Sequence, residues 1–480
     1  MKAIKIMKQT LIDTFEVDGV WFKPSAPDKS VHGKLLFSHT HSNLKLFGSL
    51  TRTQQDPLGT QQSDDLNIIF GQTMGGELIT LFDVFRTQNT FRSGGFPSQT
   101  FRFNYFVVGG HFASPDELVF NEASFNSTYL EDFIGASPIT EEFDQKNNIV
   151  QKVTVSFAHP KIQEWKIPNL DATLKTHSNM QMDTSVTNVD IKYKALMKLI
   201  PDTPQNYNWY LPRLNKFLSL LSIFTGKEQF FKELYFKINN EAESLNKSFK
   251  VFFTQKDFVE TSELSIVDSI LLPQIRSNFG TYVTNWFQLY DDLESIYHLY
   301  LNTKFNGLYE EWKFLNFTRI LEGYHRLKFT ESTYCNPSDY ESIKHEISEF
   351  LDKTLTDTDV EQLKKNIQGA ISYAYEYPFA KRLTEIGKNL EKPIFDIIFR
   401  SKRDLNSFIF KVKETRNKLT HPQSQNQHIF QGFHLYLANV RLNAMIHSII
   451  LLDLGLPADF IGDKISYFHR SLIKAKAELK

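Results

Sequence analysis

A chain of 480 residues is longer than one hydrophobic core usually supports, so two domains are expected. Its 41% hydrophobic and 23% charged content exclude a disordered or fibrous protein. A formal net charge of −1 excludes nucleic-acid binding by overall charge, and the lone cysteine, Cys335, excludes an intrachain disulfide. Residues 1–17 carry lysines but an interrupted apolar pattern, which is not that of a signal peptide. The most apolar stretch, 444–456, includes His447 and Asp453, so no membrane-spanning run is expected. These features together lead to the expectation of a soluble, cytoplasmic protein with no membrane partner.

From residue 18 to about 160, apolar residues recur with period two between Gly, Ser, Asn and Asp, the grammar of strands and hairpins. Leu44 and Leu46 alternate with Asn43 and Lys45; Phe101, Phe103 and Tyr105 alternate with Arg102 and Asn104. The apolar runs 68–70 and 78–82 flank Gly75 and Gly76 and predict a hairpin. Between 160 and 270 a helix over 211–224 is mixed with strands over 233–238 and 249–254. The first domain is therefore placed at 1–270, β-rich and sandwich- or barrel-like.

After Pro273 the period changes to 3.6, and helices are expected over 285–301, 308–329, 339–351, 379–390, 428–454 and 460–479. The second domain, 271–480, reads as an all-α bundle, making the chain α+β. Residues 401–480 hold twelve Lys and Arg against six Asp and Glu, a balance of +6. That balance suits a local polyanion site and equally a solvated helix surface.

Chemistry concentrates in Glu414-Thr415-Arg416-Asn417-Lys418-Leu419-Thr420-His421-Pro422. Asp404 is expected to cap this helix, with Leu405, Phe408, Ile409, Val412 and Leu419 as its apolar stripe. At about 100° per residue, Arg416 projects near the middle of that stripe, where a cation must be paired, reach a cleft or lie at an interface. Asn417 and His421, four apart, share a face. Pro422 biases His421 out of the α region, which lets imidazole and guanidinium converge within one chain or between two copies. A planar guanidinium grips phosphate oxygens and an imidazole moves protons, so the set suits phosphodiester cleavage. Asn417 would orient the imidazole or bond the phosphate, and Lys411, Lys413 and Lys418 add charge for the backbone. Arg319 with His325 and Arg441 with His447 are spaced similarly, so spacing alone identifies nothing. A structural arginine beside a surface histidine is the other reading of the motif.

Glu322 shares a helix arc with Arg319, Arg326, Leu308, Trp312 and Leu315. It either pairs Arg416 and holds the fork, or forms an internal ion cluster with Arg319 and Arg326. Ser38-His39-Thr40-His41 would put two imidazoles on one face if that segment is a strand, but no acidic or cysteine partner stands nearby in sequence, and neither metal nor cofactor is expected. Gly71-Gln72-Thr73-Met74-Gly75-Gly76 lacks the lysine of a phosphate loop.

The segment Thr415 to His421 resembles the signature of HEPN ribonucleases. Leu321-Glu322-Gly323-Tyr324-His325-Arg326, Thr415-Arg416-Asn417 and Asp453-Leu454-Gly455 narrow the resemblance to the ApeA-like group. Gly19-Val20-Trp21-Phe22, Gly33-Lys34-Leu35 and Gly71-Gln72-Thr73 are similar to the ApeA N-terminal domain. The resemblance implies a metal-independent endoribonuclease in which the RNA 2′-hydroxyl attacks the adjacent phosphate, leaving a 2′,3′-cyclic phosphate. It further implies a homodimer whose two motifs share one cleft, and an antiphage abortive-infection role with tRNA as target. The site carries over onto Arg416, Asn417 and His421, and the β-rich domain becomes the place for a phage-derived trigger. A non-catalytic protein remains the alternative, its β-domain binding a ligand or phage component and its helical domain only dimerising.

Overall fold

The computed structural model describes residues 5–51, 67–90, 96–146, 149–240, 245–258, 264–356, 360–421 and 428–479. The chain divides into two compact units, one of residues 1–266 with 270–287, the other of 267–269 with 288–480.

The first unit is β-rich, and its period-two segments join in a single 14-stranded sheet whose pairings are antiparallel. Phe15–Lys23 lies between Ala26–Ser38 and Ile68–Thr73; the sheet continues through Leu78–Phe82, Tyr105–Val108, Leu245–Phe253 and Phe231–Asn240. The hairpin expected around Gly75 and Gly76 forms, with Gly76 at φ +81 taking the left-handed turn conformation. The alternation over 101–105 is not one strand: Ser98–Arg102 and Tyr105–Val108 are separate, with Phe103 buried between them. A helix, Tyr207–Thr225, also belongs to this unit, capped by Asn206, whose side chain accepts from the Trp209 N–H.

The three glycine-bearing blocks of this unit fall side by side. Gly19 stands opposite Gly33 on one side and Thr73 on the other, and Trp21 stands opposite Gly71. Trp21 is fully buried, and a Cβ on Gly71 would come within 2.3 Å of its ring. The glycine is therefore a space requirement of the indole.

The second unit is helical. Glu310–Lys328 packs against Gly432–Asp453, Phe379–Asn389 and the motif helix, Lys402–Thr420. Helices Glu361–Ile371 and Lys392–Ile398 were not expected from the periodicity, being short and flanked by other helices. The segment 460–479 is two helices, Ala458–Phe468 and Leu472–Glu478, because the chain leaves helical geometry at His469. Gly432–Asp453 is, contrary to expectation, long and apolar enough to cross a membrane by composition. However, 78% of its most apolar window is buried within the protein, as in a core helix, and it carries the fully buried Arg441 and His447.

Asp404 does not cap the motif helix. Ser401 does, its hydroxyl accepting from the Asp404 N–H at 3.2 Å. Asp404 is instead buried one turn in, bonded to Arg400 at 2.6 Å and to Arg441 at 2.8 Å. The Arg441 guanidinium also lies over the Phe399 and Phe408 rings. Burial alone would raise the Asp404 carboxyl, but the hydrogen bonds from Arg400 and Arg441 outweigh it and hold the group below its ordinary range.

Two stability predictions follow from these packings. Gly71→Ala forces Trp21 off its position and lowers stability by about 1–3 kcal/mol, measured by urea unfolding of the β-rich unit. Asp404→Ala leaves a buried guanidinium unpaired and costs about 3–5 kcal/mol in the helical unit. Since the folded carboxyl is held below its unfolded value of about 3.9, the contribution of Asp404 is fully present above that pH. It is lost as pH falls through the lower folded value, so the wild type and Asp404→Ala should converge in stability in acid.

Candidate functional site

The motif helix buries Leu405, Phe408, Ile409 and Val412, while Leu419 is half-buried. Arg416 emerges beyond this stripe with its side chain 35% exposed. Its guanidinium Nη2 donates to Glu322 Oε2 at 3.1 Å and the group lies 4.5 Å from the centre of the Phe379 ring. Carboxylate and aromatic face thus fix the fork from two neighbouring helices.

Of the two readings of Glu322, the pairing with Arg416 is the one the geometry contains, together with Arg326 at 3.7 Å. Arg319 is exposed and joins no ion pair among the described residues. The arc assumed for Glu322 was less apolar than it looked, since Trp312 is 60% exposed.

The helix ends at Thr420. His421 has φ −130 and ψ 86, outside the helical region, although its N–H still donates to the Asn417 carbonyl at 2.8 Å. Pro422, expected to cause this departure, lies outside the described residues. The His421 side chain is exposed, and among the described residues no hydrogen bond joins it to Arg416. Asn417 is half-buried, and its amide has no hydrogen-bond partner among the described residues. Thr415 is buried and takes two bonds, donating to the Lys411 carbonyl at 2.7 Å and accepting from the Phe430 N–H at 2.9 Å. That second bond pins the start of the following segment against the motif.

The contacts shown for the three lysines differ. Lys413 pairs with Glu414 at 3.2 Å, Lys411 lies 5.9 Å from the Phe430 ring centre, and Lys418 is half-buried two residues beyond Arg416.

Behind Glu322 runs a chain of polar contacts that the sequence did not reveal. Arg326 pairs with Glu376, which also binds Arg382 at 3.0 Å. Arg382 is 1% exposed and donates to the Tyr377 carbonyl at 2.8 Å and to His325 Nδ1 at 3.3 Å. Because arginine only donates, Nδ1 accepts, so the proton of this imidazole sits on Nε2 and is donated to Glu385 at 2.7 Å. Burial holds His325 below the ordinary histidine range despite Glu385. Glu376 and Glu385 lie 54 and 63 positions from Glu322, and no local spacing links them.

The other motifs set aside have local roles. His39 pairs with Asp257 at 2.9 Å and His41 with Asn43, while His447 is buried against His469 and Phe468. Among the described residues, no three His, Cys, Asp or Glu side chains are grouped to hold a metal ion.

A family model for the ApeA N-terminal domain 1 matches residues 16–286, and one for the Apea-like HEPN domain matches residues 315–460, a span that includes Glu322, Arg416 and His421. Comparison with curated proteins and with solved structures finds no match. HEPN domains generally bind RNA and dimerise, and they are typically ribonucleases. With the first match spanning more than half of its length, the chain belongs to the ApeA-like HEPN proteins, a family of antiphage nucleases.

Proposed function

We propose that the protein is a metal-independent endoribonuclease of an abortive-infection system, with tRNA as its target. The observation that carries this reading is the held guanidinium of Arg416 on the same helix end as the exposed imidazole of His421. Glu322 engages one nitrogen of the fork and leaves the others for phosphate oxygens. The 2′-oxygen of the RNA attacks phosphorus as its proton leaves, the bond to the 5′-oxygen breaks, and that oxygen takes up a proton. The products are a 2′,3′-cyclic phosphate and a 5′-hydroxyl, with no water consumed. Arg416 stabilises the charge that develops on the phosphate, His421 transfers a proton, and Asn417 orients the imidazole or the phosphate. Lys411, Lys413 and Lys418 attract the RNA backbone.

Glu322 acts on this reaction as a positioning residue, through Arg416. A homodimer brings two motifs together, so that His421 of one copy serves a phosphate held with the help of the other. The β-rich region restrains the nuclease in the cytoplasm until a phage-derived trigger releases it.

Incubation with tRNA and total RNA in EDTA tests the reading. Wild type should cleave and leave cyclic phosphate ends. Arg416→Ala should lose about 10²–10³-fold and His421→Ala about 10²–10⁴-fold in rate. Equal cleavage by all three proteins would overturn the proposal, and activity lost only with chelator would point to a metal nuclease. Glu322→Gln should lower kcat by up to about 100-fold with little change in KM, because it frees the fork without removing it. Unchanged kcat in that variant removes the positioning role.

A further inference from the structure

The carboxylate of Glu322 serves two guanidiniums. Oε2 faces Arg416 at 3.1 Å, and Oε1 faces Arg326 at 3.7 Å. Arg326 follows Glu322 by four residues on Glu310–Lys328, so it stands one turn along the same face. Two permanently charged forks therefore flank one carboxylate, one in the proposed catalytic site and one beside it.

Stability is a poor account of Arg326. Its side chain is 48% exposed, and exposed ion pairs contribute only about 0–1 kcal/mol. Placement is the better account. Glu376 pairs with Arg326 and is itself held by the buried Arg382, which cannot reach a ligand. Arg382 thus braces a second fork that remains open to solvent.

The backbone next to Glu376 is equally fixed. Thr333 forms a bridge with Glu376, the Tyr334 N–H donates to the Tyr375 carbonyl at 2.7 Å, and the Tyr377 N–H donates to the Ser332 carbonyl at 2.9 Å. On this clip Tyr334 presents a ring that is 60% exposed and packs edge-on against Tyr377. Lys381 Nζ lies 4.2 Å from the centre of the Tyr334 ring. An exposed aromatic on a hydrogen-bonded backbone, with cations on neighbouring residues, is a means by which proteins hold unpaired nucleotides: a phosphate on a cation, a base on the ring.

The geometry points to a second RNA subsite, in which Arg326 takes a phosphate neighbouring the one at Arg416 and Tyr334 stacks an unpaired base. The substrate class that follows is RNA single-stranded at the cleavage point, such as a loop or an end. This inference rests on the ribonuclease reading and adds a direction to it, since the strand runs from Arg416 along Glu310–Lys328 toward Tyr334.

The test uses full-length protein. In a His421→Ala background, binding of a fluorescein-labelled single-stranded RNA and of the same sequence as a duplex is followed by anisotropy. Tyr334→Ala should weaken single-strand binding by about 5- to 100-fold, and Tyr334→Phe should keep it. Arg326→Ala should lower the slope of log affinity against log salt by about 0.7, and Arg326→Lys should restore most of that slope. In cleavage assays with His421 intact, both alanine variants should raise KM with kcat largely kept. Unaltered KM, affinity and salt slope in both alanine variants, with the wild type cleaving RNA, overturns the subsite alone. Equal binding of duplex and single strand by the parent overturns the stacking role. A wild type that neither binds nor cleaves RNA overturns the ribonuclease reading and the subsite with it.

Discussion

A guanidinium close to an apolar helix stripe needs a compensating charge, and the arrangement of the helical unit around Arg416 reflects that need. Glu322 supplies the charge from Glu310–Lys328, the helix that contacts the motif helix, Phe379–Asn389 and Gly432–Asp453 alike. Phe379 closes the other face of the fork from a third helix. A site assembled this way is only as accurate as the packing of three helices, which is why buried features such as the Asp404 and Arg441 pair bear on it although they touch no substrate. They fix the register of the helix on which Arg416 stands.

Much of this was readable from the sequence, for a physical reason. Period-two and period-3.6 patterns report burial, and burial is strong across the sheet and in the long helices; hence the β-rich region, the helical region and most of their elements emerge directly. The stripe on the motif helix showed that Arg416 needed a partner, and Glu322 was within reach as a candidate. What stayed hidden is held by contacts between residues far apart in sequence. Glu376 sits on an isolated bridge just after a turn and Glu385 on a helix, and nothing local marks either as part of one network with Arg416. The cap was misassigned because Ser401 and Asp404 both suit the role, and only the demand of the buried Arg441 for a carboxylate decides between them.

The β-rich unit carries a similar lesson in a different currency. In the sequence Gly75 and Gly76 read as a turn, and the run from Gly71 to Gly76 lacks the lysine of a phosphate loop. Gly71 is in fact mid-strand, where the Trp21 indole occupies the space a side chain would fill. A fully buried indole within a large sheet makes that sheet intolerant of small volume changes; Gly71 and, less directly, Gly33 leave room for it, whereas Gly19 leaves room for the Gln72 backbone of the neighbouring strand.

The contact of Arg382 with His325 also sets a division of labour between imidazoles. His325 has both ring nitrogens committed, one to a donor that cannot accept a proton in return and the other to Glu385. A second proton on that ring would have to displace the guanidinium that braces Glu376, so His325 serves as a fixed wall of the network. In the proposed reaction the imidazole that transfers a proton is a different one, His421, whose ring is exposed at the helix terminus. Burial already holds the His325 ring below the ordinary histidine range, so His325 itself would not change the network as pH passes through neutrality.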